Sequence, residues 1–168
     1  MQWSVASFCP HLLSMTAQTQ NFGASAEAIR HYYDVGNDFY RLWLDDAMTY
    51  SCAMWQEQDT LETAQMRQID YHIAQSRAKG AKRVLDIGCG WGAMLKRLVD
   101  EYQVEQAIGL NLSKTQIDWM AMSSHSQIEV RAEDWTQHCP EQLYDAIVAV
   151  EILDHCARME LSSSEKVA

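Results

Sequence analysis

The segment from residue 84 to residue 92, VLDIGCGWG, constrains the fold of this chain more than any other segment. A mostly apolar run is followed by Gly88, Gly90 and Gly92, and then by a helical pattern of apolar residues. This order predicts a buried strand that passes through a tight turn into a helix. Glycine tolerates positive φ angles and carries no Cβ atom, so such a turn brings backbone N–H groups close to a ligand. The segment therefore predicts a site for a nucleotide-like ligand.

The spacing of these glycines and the acid before them narrow the choice of ligand. The pattern G-x-G-x-G differs from the dinucleotide fingerprint G-x-G-x-x-G, and Asp86 stands two residues before the first glycine. We interpret the turn as a binding site for S-adenosylmethionine (SAM), in which Asp86 orients the turn or the amino group of the ligand. A tight strand-to-helix connection without a ligand is the alternative interpretation.

Composition and charge argue against several other classes of protein. Of the 168 residues, 48% are hydrophobic and 21% are charged, which predicts a globular fold. The formal net charge of −10 and the lack of a basic cluster argue against nucleic acid or a strongly anionic membrane surface as a partner. No apolar run approaches the roughly 18 residues that cross a bilayer, so we expect any membrane contact to be peripheral.

The five cysteines are odd in number and scattered along the chain, at positions 9, 52, 89, 139 and 156. They include no C-x-x-C pair, and their spacing fits neither a disulfide framework nor a zinc site. We therefore expect no metal site and a reducing, cytoplasmic location.

Changes in hydrophobic period divide the chain into three regions. Residues 1–24 are polar and irregular, which predicts a flexible arm. Residues 25–80 follow a helical pattern and form a predicted cap segment. Residues 81–168 alternate strands and helices, which predicts the α/β class: a partial, Rossmann-like SAM-binding core with a parallel sheet. The predicted helices span 25–33, 38–44, 60–79, 92–101 and 113–123, and the predicted strands span 83–87, 104–110, 127–132 and 144–150.

Two of the predicted helices have local start signals. Thr60 is followed by Thr63 and not by Glu, which predicts only half of a capping box, with Asp59 and Glu62 placed near the helix N-terminus. Ser113 is the predicted N-cap of the last helix.

Candidate ligand contacts follow the predicted strands, because ligands of open parallel sheets lie beyond the carboxyl ends of the strands. Gly88 and Gly90 would pass against the methionyl part of SAM. Asn111 and Leu112 follow the second strand; position 111 is neutral, so an amide or a backbone group would contact the ribose hydroxyls. Trp135 follows the third strand and offers a face for adenine, although a half-buried loop aromatic is the alternative.

Four motifs occur in an order that resembles one family. They are HYYDVGNDFY at residues 31–40, MTYSC at 48–52, VLDIGCGWG at 84–92 and GLNLSKTQ at 109–116. The set, together with the segment up to about residue 155, resembles the cyclopropane-fatty-acyl-phospholipid synthases, which include the mycolic acid cyclopropane synthases. The resemblance implies a class I SAM-dependent methyltransferase that delivers a methylene unit to a cis double bond of a lipid acyl chain.

The resemblance also implies roles for individual residues. Cys52 matches the residue whose backbone helps to hold a bicarbonate ion, which removes a proton from the transferred methyl group. Asp154 stands where the family has Glu beside His155, and its side chain is one methylene shorter. Glu151 is either a substitute ligand for the anion or an ordinary polar residue at a strand end. The implied cofactor contacts are Tyr50, Ser51, Gly88, Asn111, Leu112, Gln116 and Trp135.

The chain ends at Ala168, where the family core continues through further strands. We therefore expect a core that is incomplete at its C-terminus, with the strand at 146–150 as an exposed edge that favours homo-oligomers. The expected acceptor is an unsaturated lipid or a small hydrophobic molecule. Two alternatives stay open: a small-molecule methyltransferase of the same superfamily, and a SAM-binding remnant without catalysis.

Overall fold

The computed structural model describes Tyr33 and residues 35–122 and 125–152. The predicted arm at 1–24, the predicted helix at 25–33 apart from Tyr33, and Asp154 with His155 lie outside the described residues. In chain order the described elements are α1 (Asn37–Tyr40), α2 (Leu61–Ser76), β1 (Arg83–Ile87), α3 (Ala93–Asp100), β2 (Gln106–Asn111), α4 (Lys114–Ala121), β3 (Ile128–Ala132) and β4 (Ala146–Ala149).

The strands form one parallel sheet with the order β3-β2-β1-β4. Asp86 in β1 lies opposite Gly109 in β2 on one side and opposite Val148 in β4 on the other. The chain moves outward from β1 through β2 to β3 and then returns to the other side of β1. The switch point therefore lies between β1 and β4, where sheets of this kind open a crevice for a ligand.

The helices bury their apolar sides mainly on one face of this sheet. Ile73 of α2 and Leu98 of α3 are fully buried there with Val84 of β1. Alternate strand residues point to the opposite face, where Leu85 and Ile108 belong to a smaller buried cluster. The main core thus lies between the sheet and the helices, and it holds the strand ends in place.

The predicted start of α2 is only partly right. Thr60 does cap the helix, since its Oγ1 accepts a bond from the Thr63 N–H. Thr63 completes the box that we expected to be half formed, because its hydroxyl accepts a bond of 3.0 Å from the Thr60 N–H. A threonine at this position therefore replaces the usual Glu. Asp59 lies beside the N-terminus as predicted, where it accepts a bond from the Thr63 hydroxyl at 3.1 Å and pairs with Arg67. The Ser113 cap of α4 is confirmed by its bond from the Gln116 N–H.

Strand β1 begins and ends where the sequence predicts, but the bounds of β2, β4 and α1 differ from the prediction. β2 begins at Gln106, not at 104, because the Val104 N–H bonds to the Leu98 carbonyl instead of to a strand. β4 is shorter than predicted and covers Ala146–Ala149. α1 ends at Tyr40, after which the chain makes turns up to a left-handed Met48 with φ of 58°.

β4 pairs with β1 alone within the described part of the chain, so its other side is a sheet edge. The Ile147 side chain on this strand is 41% exposed. The self-association that we expect from this edge stays a prediction.

Cys52 and Cys89 are free thiols, whereas Cys139 is disulfide-bonded. The cysteine spacing therefore did not predict the bond at Cys139. Among residues 35–122 and 125–152, no group of three or more His, Cys, Asp or Glu residues is placed to hold a metal ion. No helix in the described ranges is both long and apolar enough to span a membrane.

We expect Gly109→Ala to destabilise the fold by about 2 kcal/mol, because an added methyl group overpacks a core of this density. A Cβ atom at this position would lie 2.6 Å from Cys89 Sγ and 2.7 Å from Leu95 Cδ1. Urea unfolding followed by circular dichroism measures the loss. Cys89→Ala removes the nearest clashing atom, so the double variant should lose less stability than the sum of the two single variants. Strict additivity would contradict this account of the contact.

Candidate functional site

A cavity of about 180 Å³ opens at the carboxyl ends of the strands, at the switch point between β1 and β4. On this measure one water molecule needs roughly 10–15 Å³, so the space is that of an organic ligand. The predicted contacts lie on four different segments of the chain, and the sheet brings them to this one place.

The glycine-rich turn forms the floor of the cavity and is fixed by β2. The N–H groups of Gly88 and Cys89 both donate to the Leu110 carbonyl, at 3.0 and 3.1 Å. Gly88 and Gly90 have φ angles of 78° and 54°, in the left-handed region that favours glycine. A Cβ atom on Gly88 would lie 2.5 Å from Ile152 Cγ2, whereas one on Gly90 would meet nothing within 4 Å. The turn is therefore tight at its first glycine and open at its second.

Asn111 at the end of β2 holds the turn to the start of α4. Its Nδ2 donates to the Gly90 carbonyl and to Gln116 Oε1, both at 2.9 Å, and its Oδ1 accepts from the Ser113 N–H at 3.0 Å. Both amide hydrogens therefore have partners within the protein. If Asn111 contacts a ligand hydroxyl as predicted, its carbonyl oxygen or its backbone makes the contact.

Helix α2 positions the segment around Tyr50 and Ser51. Gln65 Nε2 donates to the carbonyls of Thr49 and Ser51, at 3.3 and 2.8 Å, and Ser51 Oγ donates to Gln68 Oε1 at 3.3 Å. Gln65 and Gln68 are each 4% exposed. Neither residue was predicted from the sequence as part of the site. The available signal was two polar side chains on the buried side of an amphipathic helix, which require partners.

An aromatic cluster connects the turn to α1. Trp91 Nε1 donates to Asn37 Oδ1 at 2.8 Å, and the ring centroids of Trp91 and Tyr40 are 4.7 Å apart. Trp43 continues the cluster and packs edge-on against Tyr50, with 5.1 Å between the ring centroids. The motif at residues 31–40 thus contributes to the site through α1, by packing on the glycine-rich turn.

Asp86 is the most deeply buried acid of the cavity lining, with an exposed fraction of 3%. Burial raises the pKa of its carboxyl group to about 7, because removal from water disfavours the charged form. Acids with such a shift are typical of sites that bind a cation or move a proton. A cationic ligand would restore the charged form at neutral pH.

Glu151 and Cys52 meet at the rim of the cavity. The Cys52 N–H donates to Glu151 Oε1 at 2.6 Å, although the two residues lie 99 positions apart. Glu151 has a left-handed φ of 52°, which residues other than glycine rarely adopt. The Glu151 carboxylate raises the pKa of the Cys52 thiol, first through a hydrogen bond and then through its charge. Two of the three predicted catalytic residues are therefore in contact.

The structure brings all nine predicted cofactor contacts to the lining of this cavity. They are Tyr50, Ser51, Asp86, Gly88, Gly90, Asn111, Leu112, Gln116 and Trp135. Their individual contacts with a ligand stay predictions. The lining also contains residues that the sequence analysis did not select as contacts, among them Tyr33, Met48 and Ile152. Of these, Tyr33 and Met48 belong to the motifs at residues 31–40 and 48–52, whereas Ile152 offers no signal beyond its place after β4.

The cavity and the parallel sheet define the fold as that of the class I SAM-dependent methyltransferases. The sequence profile described as "Mycolic acid cyclopropane synthetase" matches residues 20–163. The chain belongs to this family.

Named relatives agree with this assignment. The "Probable fatty acid methyltransferase" of Pseudomonas putida is 34% identical over 143 residues, which are 82% of this chain and 36% of that protein. "Cyclopropane mycolic acid synthase 2" of Mycobacterium bovis is 37% identical over 137 residues, which are 78% of this chain and 44% of that protein. The chain thus spans less than half the length of these relatives.

One similar solved structure is that of mycolic acid cyclopropane synthase CmaA1, complexed with S-adenosylhomocysteine (SAH) and CTAB. It is 31% identical with a TM-score of 0.73, and the alignment covers 81% of this chain and 49% of that chain. That protein therefore holds the demethylated form of SAM.

We expect Gly90→Ala to weaken SAM binding at least about tenfold, because its Cβ atom would enter open space beside the turn and narrow the approach of a ligand to the backbone. Gly88→Val should abolish binding, since its side chain also collides with Ile152. Isothermal titration calorimetry measures both affinities.

Gly80→Ala is the matched control for Gly90→Ala. Gly80 also has a positive φ, 69°, and open space around its Cβ position, but it does not line the cavity. Both variants carry the same kind of backbone strain, so both should lose similar stability. Equal SAM affinity of the two variants would contradict the prediction that SAM binds against this turn.

We expect SAM to bind about tenfold more tightly at pH 8 than at pH 6, because Asp86 becomes charged as the pH rises through its pKa of about 7. The unliganded fold should show the opposite trend. Its folded form holds the Asp86 proton more tightly than its unfolded form, so stability falls as the pH rises from about 4 to about 7. Titration calorimetry and thermal melts at a series of pH values measure the two trends.

Asp86→Asn is the control for both trends, since it cannot titrate. Its melting temperature should lose the Asp86 part of the pH dependence, and its SAM affinity should keep only the dependence that comes from the ligand itself. If Asp86→Asn retains the full pH dependence of melting temperature and SAM affinity, a group other than Asp86 causes it.

Proposed function

We propose that the protein is a SAM-dependent methyltransferase of the cyclopropane synthase type, which transfers a methyl or methylene unit to a cis double bond of an unsaturated fatty acyl chain in a phospholipid. The single observation that carries this proposal is the convergence of all nine predicted cofactor contacts on one cavity. Membership of the family and the SAH in a similar structure support it.

The residues present fit SAM. Bound SAM would supply an electrophilic methyl group on a sulfonium cation. The cavity lining has four acids, and it includes no Lys, Arg or His among the residues that the structure describes. The acids are Asp86, Glu133, Asp134 and Glu151. A negative lining of this kind attracts a cationic ligand, and the open glycine-rich turn admits it to the backbone.

The aromatic cluster around α1 supports an apolar acceptor. Phe39 and Trp43 are 49% and 44% exposed, and Trp43 lies against Tyr50 of the cavity lining. An apolar surface that leads into a cavity is typical of a site for a hydrophobic molecule. The names of the relatives, a fatty acid methyltransferase and a mycolic acid synthase, agree with this acceptor. We propose that the enzyme reaches lipid by peripheral contact from the cytoplasm.

Cyclopropane formation also requires an anion that removes a proton. We propose that this anion binds at the Cys52 N–H, which we call the anion seat, because this N–H donates to a carboxylate oxygen of Glu151, a residue of the cavity lining. The family resemblance assigns bicarbonate to this seat, with Asp154 as a further ligand. A dry surrounding would let the anion stabilise a cation strongly.

The full-length protein with labelled SAM tests this function. Vesicles of monounsaturated and of fully saturated phospholipid serve as matched acceptors, and mass spectrometry of the released fatty acids detects a gain of one methylene unit. We expect product from the unsaturated lipid alone. A panel of small amines tests the alternative acceptor class. SAM binding without any transfer would favour the remnant, and transfer to amines alone would replace the lipid proposal.

A further inference from the structure

We propose that the Glu151 carboxylate is itself the anion and the proton acceptor of this site, in place of an external bicarbonate. This inference rests on the proposed function, and it names the group that carries out the proton removal. Three features of the structure support it: the occupied seat, the charge of the lining and the backbone conformation of Glu151.

The anion seat, the Cys52 N–H, is already occupied by the side chain of Glu151. Glu151 Oε1 accepts the Cys52 N–H at 2.6 Å, which is the short distance of a hydrogen bond to a charged acceptor. A backbone N–H has one hydrogen to donate, so a second anion would have to displace this oxygen. A carboxylate has roughly four acceptor positions, so the bond to Cys52 leaves Glu151 able to accept a proton.

The charge of the lining disfavours an external anion. Asp86, Glu133, Asp134 and Glu151 line the cavity, and the described lining offers no cationic side chain to balance them. A small anion in this cavity would meet repulsion from the carboxylates of the lining, and the described lining has no cationic side chain to attract it. The Glu151 carboxylate is covalently part of the chain, so its place in the cavity does not depend on binding from solution against that repulsion.

The backbone holds Glu151 in a conformation that has to be maintained by its surroundings. Its φ of 52° lies in the left-handed region, which is unfavourable for a residue with a long side chain. Val150 before it and Ile152 after it both line the cavity. Such strain at a cavity rim indicates a functional constraint. Here the turn directs the carboxylate across the end of β4 to Cys52.

The proposed step balances within the acceptor and Glu151. Transfer forms a bond between the methyl carbon and one alkene carbon and breaks the bond from that methyl carbon to sulfur, which leaves a cation on the other alkene carbon. The Glu151 carboxylate then removes a proton from the transferred methyl group. The electron pair of the broken C–H bond forms the second C–C bond and closes the ring. The carboxylic acid of Glu151 returns the proton to water.

Two variants of the full-length protein distinguish the carboxylate from bicarbonate. Glu151→Gly empties the seat, so the variant should bind ¹³C-labelled bicarbonate in an NMR titration and should regain activity when bicarbonate is added. Glu151→Gln fills the seat with a neutral acceptor, so its transfer rate should fall at least about a hundredfold without rescue. The native protein should show no saturable bicarbonate binding and no loss of activity in bicarbonate-free buffer.

The thiol of Cys52 gives a readout that does not depend on catalysis. The rate of Cys52 alkylation as a function of pH, measured by peptide mass spectrometry, reports its pKa. Because Glu151 raises this pKa, both Glu151 variants should lower it, whereas Glu141→Gln on the exposed loop before β4 should leave it unchanged. If the pH profile of Cys52 alkylation is unchanged in the Glu151 variants, the contact between Cys52 and Glu151 on which the proposal rests does not form.

The results separate this inference from the proposed function. Bicarbonate binding by the native protein with the affinity of Glu151→Gly, or native activity that requires bicarbonate, would overturn the role of Glu151 while the methyltransferase stands. Absence of SAM binding in a folded native protein would overturn the proposed function. The NMR and alkylation results would then still decide whether Glu151 occupies the seat.

Discussion

The carbonyl oxygen of Leu110 is the contact on which the site depends. It accepts the N–H groups of Gly88 and Cys89 and so fixes the glycine-rich turn to the end of the neighbouring strand. Asn111, the next residue, extends this attachment to Gly90 and to α4. Gly109 makes room for Cys89 below the turn, since any side chain there would collide with it. The end of β2 therefore sets the position of the cavity floor.

Much of the fold follows from local sequence. Strand β1 was predictable because its apolar run ends at Gly88, and the α4 cap was predictable because Ser113 directly precedes the helix. The boundaries that differ are set by individual backbone hydrogen bonds or by turns. An example is the bond from the Val104 N–H to the Leu98 carbonyl, because of which β2 begins only at Gln106. Nothing in a hydrophobic period reports such a bond.

The site divides in the same way. Residues at strand ends were found from sequence, because the carboxyl edge of a parallel sheet collects them whatever their side chains. Gln65 and Gln68 were missed, because their role is to hold the backbone of a loop that lies far from them in sequence. The bond between Cys52 and Glu151 joins residues 99 positions apart, and sequence spacing carries no trace of it.

The acidic lining has a consequence for turnover. When a sulfonium ligand gives up its methyl group it becomes a neutral thioether, so its attraction to the carboxylates of the lining decreases by one unit of charge. The thioether is then held less firmly than the sulfonium ligand. The loss of charge therefore favours replacement of the thioether by a new sulfonium ligand. In the proposed reaction, a cavity without cationic side chains in its described lining thus favours the sulfonium form over the thioether.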